Sequence, residues 1–191
     1  MSLWGKTFKK RITGFRVRKI IVPLDVPPPA SALERDRARD YVSGMQVPGL
    51  RSCYDKVGGI YYIGRMFDKI RLHAAGKLPT EYHENLGKGF DARALAFLDV
   101  TYTSLVDRVQ QGGTDGEFLE WCFQRGYHPD DEEIEVWNEF MRKRGWKDSG
   151  TPMLRRRLAE INAADRTDIE TSFDFIDLDE GRDPREITRD F

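Results

Sequence analysis

From residue 58 almost to the end of the chain, apolar residues recur three or four positions apart, the spacing of amphipathic α-helices. In the clearest stretch, five apolar residues fall on one helical face: Ile63, Met66, Phe67, Ile70 and Ala74. Gly76 marks the end of this predicted helix. A loop over residues 78–89, punctuated by Pro and Gly, precedes two short helices predicted at 90–97 and 101–110.

Capping patterns predict where the later helices begin, because a Thr or Asp oxygen can accept a hydrogen bond from the third helical N–H group. Four such starts follow one another: Thr114 with Glu117, Asp130 with Glu133, Thr151 before Pro152, and Thr167 with Glu170. The residues expected to point inward from these helices are Phe118, Leu119, Cys122, Ile134, Trp137, Phe140, Met141, Leu154, Leu158, Ile161, Ile169, Phe173 and Ile176. Gly181 marks the end of the last helix.

Nothing in this body alternates between polar and apolar residues as clearly as the helical stretches repeat. The sequence therefore predicts an all-α fold, a compact bundle of about seven or eight mostly short helices. Trp121, Trp137 and Trp146 lie at helical apolar positions or at a helix end, and we expect them to pack in the core.

The first 47 residues do not share this pattern. Residues 1–22 place Trp4, Phe8 and Phe15 on one stripe if helical, but residues from Phe15 onward also alternate as a strand would, so their conformation stays open. Residues 23–47 form a Pro-rich linker with a short helix predicted at 32–42. The predicted division is an irregular basic arm (1–22), the linker (23–47), a helical domain (48–181) and an acidic-leaning tail (182–191).

Charge is unevenly distributed along the chain. The 191 residues include 31 Lys and Arg against 32 Asp and Glu, a formal charge of −1. Residues 1–19 nevertheless carry seven basic residues and no acid, and residues 165–191 carry ten acids against four Arg. Each end can meet an oppositely charged surface, or both can be solvated termini. Attraction between the two ends would be weak, because salt screens charges over about 8 Å.

Several classes of protein are disfavoured by composition. No apolar run approaches the roughly 20 residues of a spanning helix, so we do not expect an integral membrane protein. The first twenty residues lack the apolar stretch of a secretory signal. Cys53 and Cys122 stand alone, without the spacing of a zinc site, and suit a reducing compartment. We expect a cytoplasmic protein without a cofactor.

The basic arm is the leading candidate for binding a partner. Its basic residues are interleaved with aromatic ones, and the proposed contact residues are Trp4, Lys9, Lys10, Arg11, Phe15, Arg16 and Arg18. An acidic protein surface is the favoured partner. Nucleic acid is a second candidate, whose binding to seven basic residues would weaken steeply with salt.

The densest group of candidate functional residues lies on the first predicted helix of the body. Arg65, Asp68 and Arg71 are three residues apart and share a helix face, with Lys69 beside them. Arginine forks oriented by Asp68 would suit a carboxylate or another anion. The structural alternative, which we favour, is a ladder of ion pairs that fixes this helix against its neighbours.

A polar loop at residues 81–85 supplies the remaining candidates. Tyr82, His83 and Asn85 are candidate ligand-binding residues, and Glu81 and His83 join Asp68 as candidate catalytic groups because His titrates near neutral pH. His73 lies one helix upstream, but no spacing in the sequence brings it to His83. We therefore predict no metal site.

Two weaker patterns have structural interpretations. The segment at 87–91 lacks a P-loop spacing and is interpreted as a turn with Asp91 as the cap of the following helix. The acidic run at 177–181 lacks the glycine and glutamate of a calcium loop. Acids at a helix C-terminus oppose the helix dipole, which suggests either exposure or a basic partner.

Four blocks of this body carry a family resemblance: GGIYYIGRMFDKIRLHAAGKL, GFDARALAFLDV, GGTDGEFLEWCFQRG and EEIEVWNEFMRKRGW. In order and spacing they resemble a bacterial family catalogued as domain of unknown function 5069, over about residues 48–181. The resemblance implies a small helical bacterial protein and implies no activity. Gly64 stands where the family typically has Pro, which we expect to affect the helix start more than any site.

These observations give two hypotheses for the function of the chain. The first is a cytosolic helical interaction module that docks on a partner through its basic arm. The second is a small enzyme or anion-binding protein with its site between the helix at 65–71 and the loop at 81–85. The second is favoured if Arg65, Asp68 and His83 meet in one pocket, and disfavoured if the charged residues pair among themselves.

Overall fold

The computed structural model describes residue 44 and residues 46–186, and within them the chain is mostly helical. The elements in chain order are β1 (Lys56–Val57), β2 (Ile60–Tyr61), α1 (Ile63–Ala74), a 3-10 helix (Thr80–Asn85), α2 (Phe90–Leu98), α3 (Tyr102–Gln110), α4 (Asp115–Arg125), α5 (Asp131–Lys143), α6 (Thr151–Glu160), α7 (Ser172–Asp179) and a 3-10 turn (Pro184–Glu186). This confirms the all-α prediction. The basic arm and the helix predicted at 32–42 lie outside the described residues.

Helix α1 is the central element of the domain. Its first two turns are buried on every side, so that charged and apolar side chains alike are enclosed by neighbouring elements. Met66, Phe67 and Ile70 face the core as predicted, whereas Ala74 in the last turn is exposed. Tyr62 caps the helix start with a φ of 75°, an unusual left-handed conformation for an aromatic residue.

A short antiparallel hairpin, which the sequence pattern did not predict, precedes α1. Its two-residue strands pair Lys56 with Tyr61 and Val57 with Ile60 around Gly58 and Gly59. Both glycines have positive φ, as a tight hairpin turn requires. Strands of two residues are too short to show alternation, but the Gly-Gly pair is the signal that could have indicated the turn.

Helix caps confirm two of the four predicted starts. Thr114 and Asp130 each form a complete capping box with the Glu three residues later. Helix α6 begins at Thr151 itself, with Gly150 as its cap, one residue earlier than predicted. The capping box predicted at Thr167 is wrong: Thr171 caps α7 instead, and residues 167–170 form a turn and an irregular stretch before it.

The core is divided into two hydrophobic clusters. The larger is formed by the hairpin, α1 to α5 and Phe173 of α7, and within it Trp137 stacks on Phe97 with ring centroids 4.4 Å apart. The smaller lies between α6 and α7, and Ile176 packs against both. Phe140 and Trp146 were expected inside but are 42% and 43% exposed. No helix in the described part of the chain has the length and apolar character needed to cross a membrane.

Candidate functional site

The charged residues of α1 are held by ion pairs from four other segments of the chain. Arg65 is buried and donates from one guanidinium nitrogen to the Glu180 carboxylate at 2.9 Å and from the other to its second oxygen. The same Arg65 donates to the backbone carbonyl of Arg51 at 2.7 Å. Arg65 is therefore fully engaged inside the domain.

Glu180 is the meeting point of three side chains. Besides binding Arg65, Glu180 accepts a hydrogen bond from the Tyr82 hydroxyl at 2.8 Å and forms an ion pair with Arg182. Arg182 also binds Asp177, which in turn accepts from the Ser52 hydroxyl. Burial acts to raise the pKa of Glu180, but the hydrogen bond and charge of Arg65 outweigh it, so that this pKa lies below its usual value.

These contacts explain the acidic run at 177–181. Of the two alternatives for this run, exposure or a basic partner, the second holds for Asp177 and Glu180, which are buried. Their basic partners are Arg65 and Arg182 of the same chain. The acidic residues at the helix end were the signal in the sequence that a cation could lie there. The sequence did not indicate which cation it is.

A second set of ion pairs surrounds Asp68. Its carboxylate accepts a bidentate pair from Arg51 at 2.6 and 2.8 Å and a longer contact from Arg71 at 3.3 Å. Asp115, in the first turn of α4, accepts from Arg51 at 2.7 Å and from Arg71 at 2.5 Å. The predicted contact between Asp68 and Arg71 is present, but Arg65 turns to Glu180 instead of joining the ladder.

Lys69 forms a third, fully buried site with Asp91 and Tyr62. Its ammonium lies 2.5 Å from the Asp91 carboxylate and 3.1 Å from the Tyr62 hydroxyl, which also donates to Asp91 at 2.9 Å. Burial lowers the pKa of Lys69 and raises that of Tyr62 well above its usual value. The pair of Lys69 and Asp91 is thus enclosed within the domain.

The expected role of Asp91 as a helix cap is wrong. Gly89 is the cap of α2, and Asp91 lies within the first turn of the helix. There it accepts from the backbone N–H of Gly87 at 3.0 Å as well as from Lys69 and Tyr62. The Gly-rich segment thus folds back over a buried carboxylate.

The loop at 81–85 forms a 3-10 helix that contacts α1 and the residue that follows α7. Tyr82 reaches Glu180, and the His83 ring meets that of His73 edge-on, with centroids 4.8 Å apart. No spacing in the sequence indicated this contact between His73 and His83. His83 also bonds the carbonyl of Leu78 through Nε2 at 3.0 Å. Glu81 and Asn85 are exposed, and within residues 46–186 no three metal-ligating side chains cluster.

Two concave surfaces of the described domain lie along α5. A cleft of about 440 Å³ is bordered by Tyr54, Arg142, Trp146, Thr171 and Arg185, among others. A smaller one of about 230 Å³ lies between α5 and the hairpin. Neither is lined by the candidate residues of α1 or of the loop at 81–85, so these candidates and the clefts are separate.

A comparison with known protein families shows which family the domain belongs to. The sequence profile of the domain of unknown function DUF5069 matches residues 47–182, most of the chain. The chain belongs to this family. No curated protein matches the sequence. Membership in DUF5069, a domain of unknown function, assigns the chain no activity.

Gly64 also affects the ion pairs of this DUF5069 domain. It lies in the first turn of α1, and a Cβ atom built there would be 2.4 Å from Nη1 of Arg51. The absence of a side chain lets the Arg51 guanidinium lie against the helix, where it binds Asp68 and Asp115. Gly64 thus bears on the ion-pair network as well as on the helix start.

Proposed function

We propose that this chain is a helical interaction module that docks on an acidic protein surface through its basic arm, residues 1–22. The observation that carries the proposal is the division of charge between the arm side and the domain. Residues 1–45 contain 10 Lys and Arg against 4 Asp and Glu, a formal charge of +6. Residues 46–186 contain 20 against 27, a charge of −7. The positive charge that would attract an acidic partner is thus concentrated in residues 1–45, ahead of the acidic helical domain.

The ion pairs of α1 support this proposal over the enzyme hypothesis. A ligand carboxylate at Arg65 would need the position that Glu180 fills, and Asp68 and Lys69 hold equally close internal partners. These charges serve to fix α1 in the domain. The candidates Trp4, Lys9, Lys10, Arg11, Phe15, Arg16 and Arg18 lie outside the described residues, and their role remains a proposal.

The charge of the domain also favours an acidic protein over nucleic acid as the partner. An acidic patch on a protein is local and can meet the arm alone. A nucleic acid continues its negative charge beyond the arm, where a domain of charge −7 repels it. We place the interaction in the cytoplasm, where the unpaired thiols of Cys53 and Cys122 would stay reduced.

The test is capture of partners from native lysate by the tagged full chain. The arm variant carries Lys9→Gln, Lys10→Gln and Arg11→Gln, and the control removes the same charge from α6 with Arg155→Gln, Arg156→Gln and Arg157→Gln, three exposed residues. We expect the arm variant to lose nuclease-resistant, salt-sensitive partners that the control retains. Partners that both variants retain would overturn the proposal, and nuclease-sensitive capture would replace the acidic protein with nucleic acid.

A further inference from the structure

Helix α5 carries an apolar stripe on its solvent side. Val136 is 64% exposed and Phe140 is 42% exposed, and they follow Glu132 at intervals of four residues, so that all three share one face. Tyr127, which is 45% exposed, lies beside the helix start and donates to Glu133. Most of the large exposed apolar residues of the described domain are gathered here, which is typical of a surface that something covers.

The solvent side of α5 is also acidic. Asp131, Glu132 and Glu135 are exposed and form no ion pair or hydrogen bond with any side chain in the described part of the chain. Glu139, one turn further on, is paired with Arg142 and Lys143. The α5 face, defined as the solvent side formed by Asp131, Glu132, Glu135, Val136 and Phe140, therefore combines exposed carboxylates with apolar area, and Arg93 lies over the Phe140 ring at 5.5 Å.

Such a face fits a basic segment with aromatic residues, and residues 1–22 are such a segment. Trp4, Phe8 and Phe15 supply apolar side chains among seven basic residues. The linker can bring them there: residues 23–43, if extended, span up to about 70 Å. A folded domain of this length has a radius of gyration of only about 14 Å. The arm can thus reach α5 of its own chain.

We propose that the arm docks on the α5 face of the same chain and is released when an acidic partner competes for it. The release rests on the proposed function, whereas the docking does not. Charge complementarity selects the occupant, because the carboxylates of this face repel nucleic acid and a second copy of the acidic domain. The linker raises the effective concentration of the arm at the face, so that even a weak contact is populated.

Photo-cross-linking in the purified full chain tests the docking without any partner. A benzophenone amino acid replaces Phe8, and mass spectrometry identifies the attached peptides. We expect the main cross-links at residues 127–143. The pair Glu132→Lys and Glu135→Lys should reduce them about tenfold, as expected for a loss of roughly 1.4 kcal/mol in attraction. The matched pair Glu84→Lys and Asp107→Lys, which reverses two exposed acids elsewhere, should leave the yield unchanged.

Three results would overturn this proposal: cross-links spread over other surfaces, no loss in the α5 variant, or equal loss in the control. Mixing isotope-labelled with unlabelled protein distinguishes contact within one chain from contact between copies. Mixed cross-links would assign the α5 face to a second copy and contradict docking within the chain. Cross-links to α5 without any captured partner in lysate would retain the docking and reject the proposed function.

Discussion

Glu180, which follows α7, binds both terminal nitrogens of the Arg65 guanidinium in the first turn of α1, although 115 residues separate them in sequence. Both side chains are 4% exposed. The arginine fork, which by itself suits an anionic ligand, thus receives a carboxylate from its own chain. This pair joins the two ends of the folded domain.

Replacing Glu180 with Gln should strongly destabilise the fold. Removal of one partner leaves Arg65 as an uncompensated buried charge, which typically costs about 3–5 kcal/mol. The midpoint of urea unfolding measures the loss. The control is Glu160→Gln, whose ion pair with Arg156 is more than half exposed and should be worth less than about 1 kcal/mol. Equal midpoints for the two variants would contradict a structural role for Glu180.

Lys69 and Asp91 should behave as one unit. Lys69→Met alone leaves the Asp91 carboxylate buried without its cation and should cost about 3–5 kcal/mol. The double variant with Asp91→Asn removes both charges. Its amide oxygen can still accept from the Gly87 N–H while its amide NH2 donates to the Tyr62 hydroxyl, so it should be more stable than Lys69→Met. A double-mutant cycle from urea unfolding gives the coupling free energy. Simple additivity of the two changes would show that the pair is not coupled.

Gly126 and Gly116 should respond in opposite directions to alanine. A Cβ at Gly126 would lie 2.1 Å from the backbone oxygen of Leu98 and 2.5 Å from that of Asp99, neither of which can move without shifting the end of α2. Gly126→Ala should therefore destabilise the domain. Gly116 lies in α4 with its nearest neighbour at 4.0 Å, so Gly116→Ala should stabilise it by up to about 1 kcal/mol. Thermal unfolding of both variants checks the signs.

Stability should fall as the solution becomes acidic. Burial acts to raise the pKa of Asp183, but hydrogen bonds from Arg185 and Arg166 outweigh it and bring this pKa to about 2. The pKa of Glu180 is likewise lowered in the fold. Because a lowered carboxyl pKa stabilises the fold above the unfolded value of about 4, this contribution is lost as pH falls from about 4 towards 2.

Thermal unfolding between pH 7 and pH 2 measures that dependence. The unfolding temperature should change little down to about pH 5 and then drop. Asp183→Asn should lower it at pH 7 and flatten the drop, since the neutral side chain has no proton to gain. A variant with the same slope as the unaltered protein would remove Asp183 from this explanation.

Local patterns in the sequence predicted the helices because their causes are local. The spacing of Met66, Phe67 and Ile70 defines one face, and the side chain of Thr114 needs only Glu117 three residues later. The last helix shows where such local patterns fail to predict a helix start. Thr167 with Glu170 has the same letters as a capping box, but Thr171 accepts from the backbone N–H of Asp174 and starts α7 instead.

The candidate site could be predicted only in part, because its contacts join distant segments. Arg65 was identified as a residue that would hold a carboxylate, but nothing in the sequence indicated that Glu180 supplies it. The partner of Asp91 could not be predicted either, because Lys69 is 22 residues away in the sequence. Phe140 shows the converse: a helical apolar position predicts burial, yet its face of α5 is open.

One binding measurement separates the arm from the charged residues of α1. Partner capture is quantified for the full chain, for the variant with Lys9→Gln, Lys10→Gln and Arg11→Gln, and for Arg71→Gln, which alters the most exposed cation of α1 at 35% exposure. We expect the arm variant to lose its partners at moderate salt and Arg71→Gln to retain them. Retained binding by the arm variant together with loss in Arg71→Gln would instead place the functional site on α1.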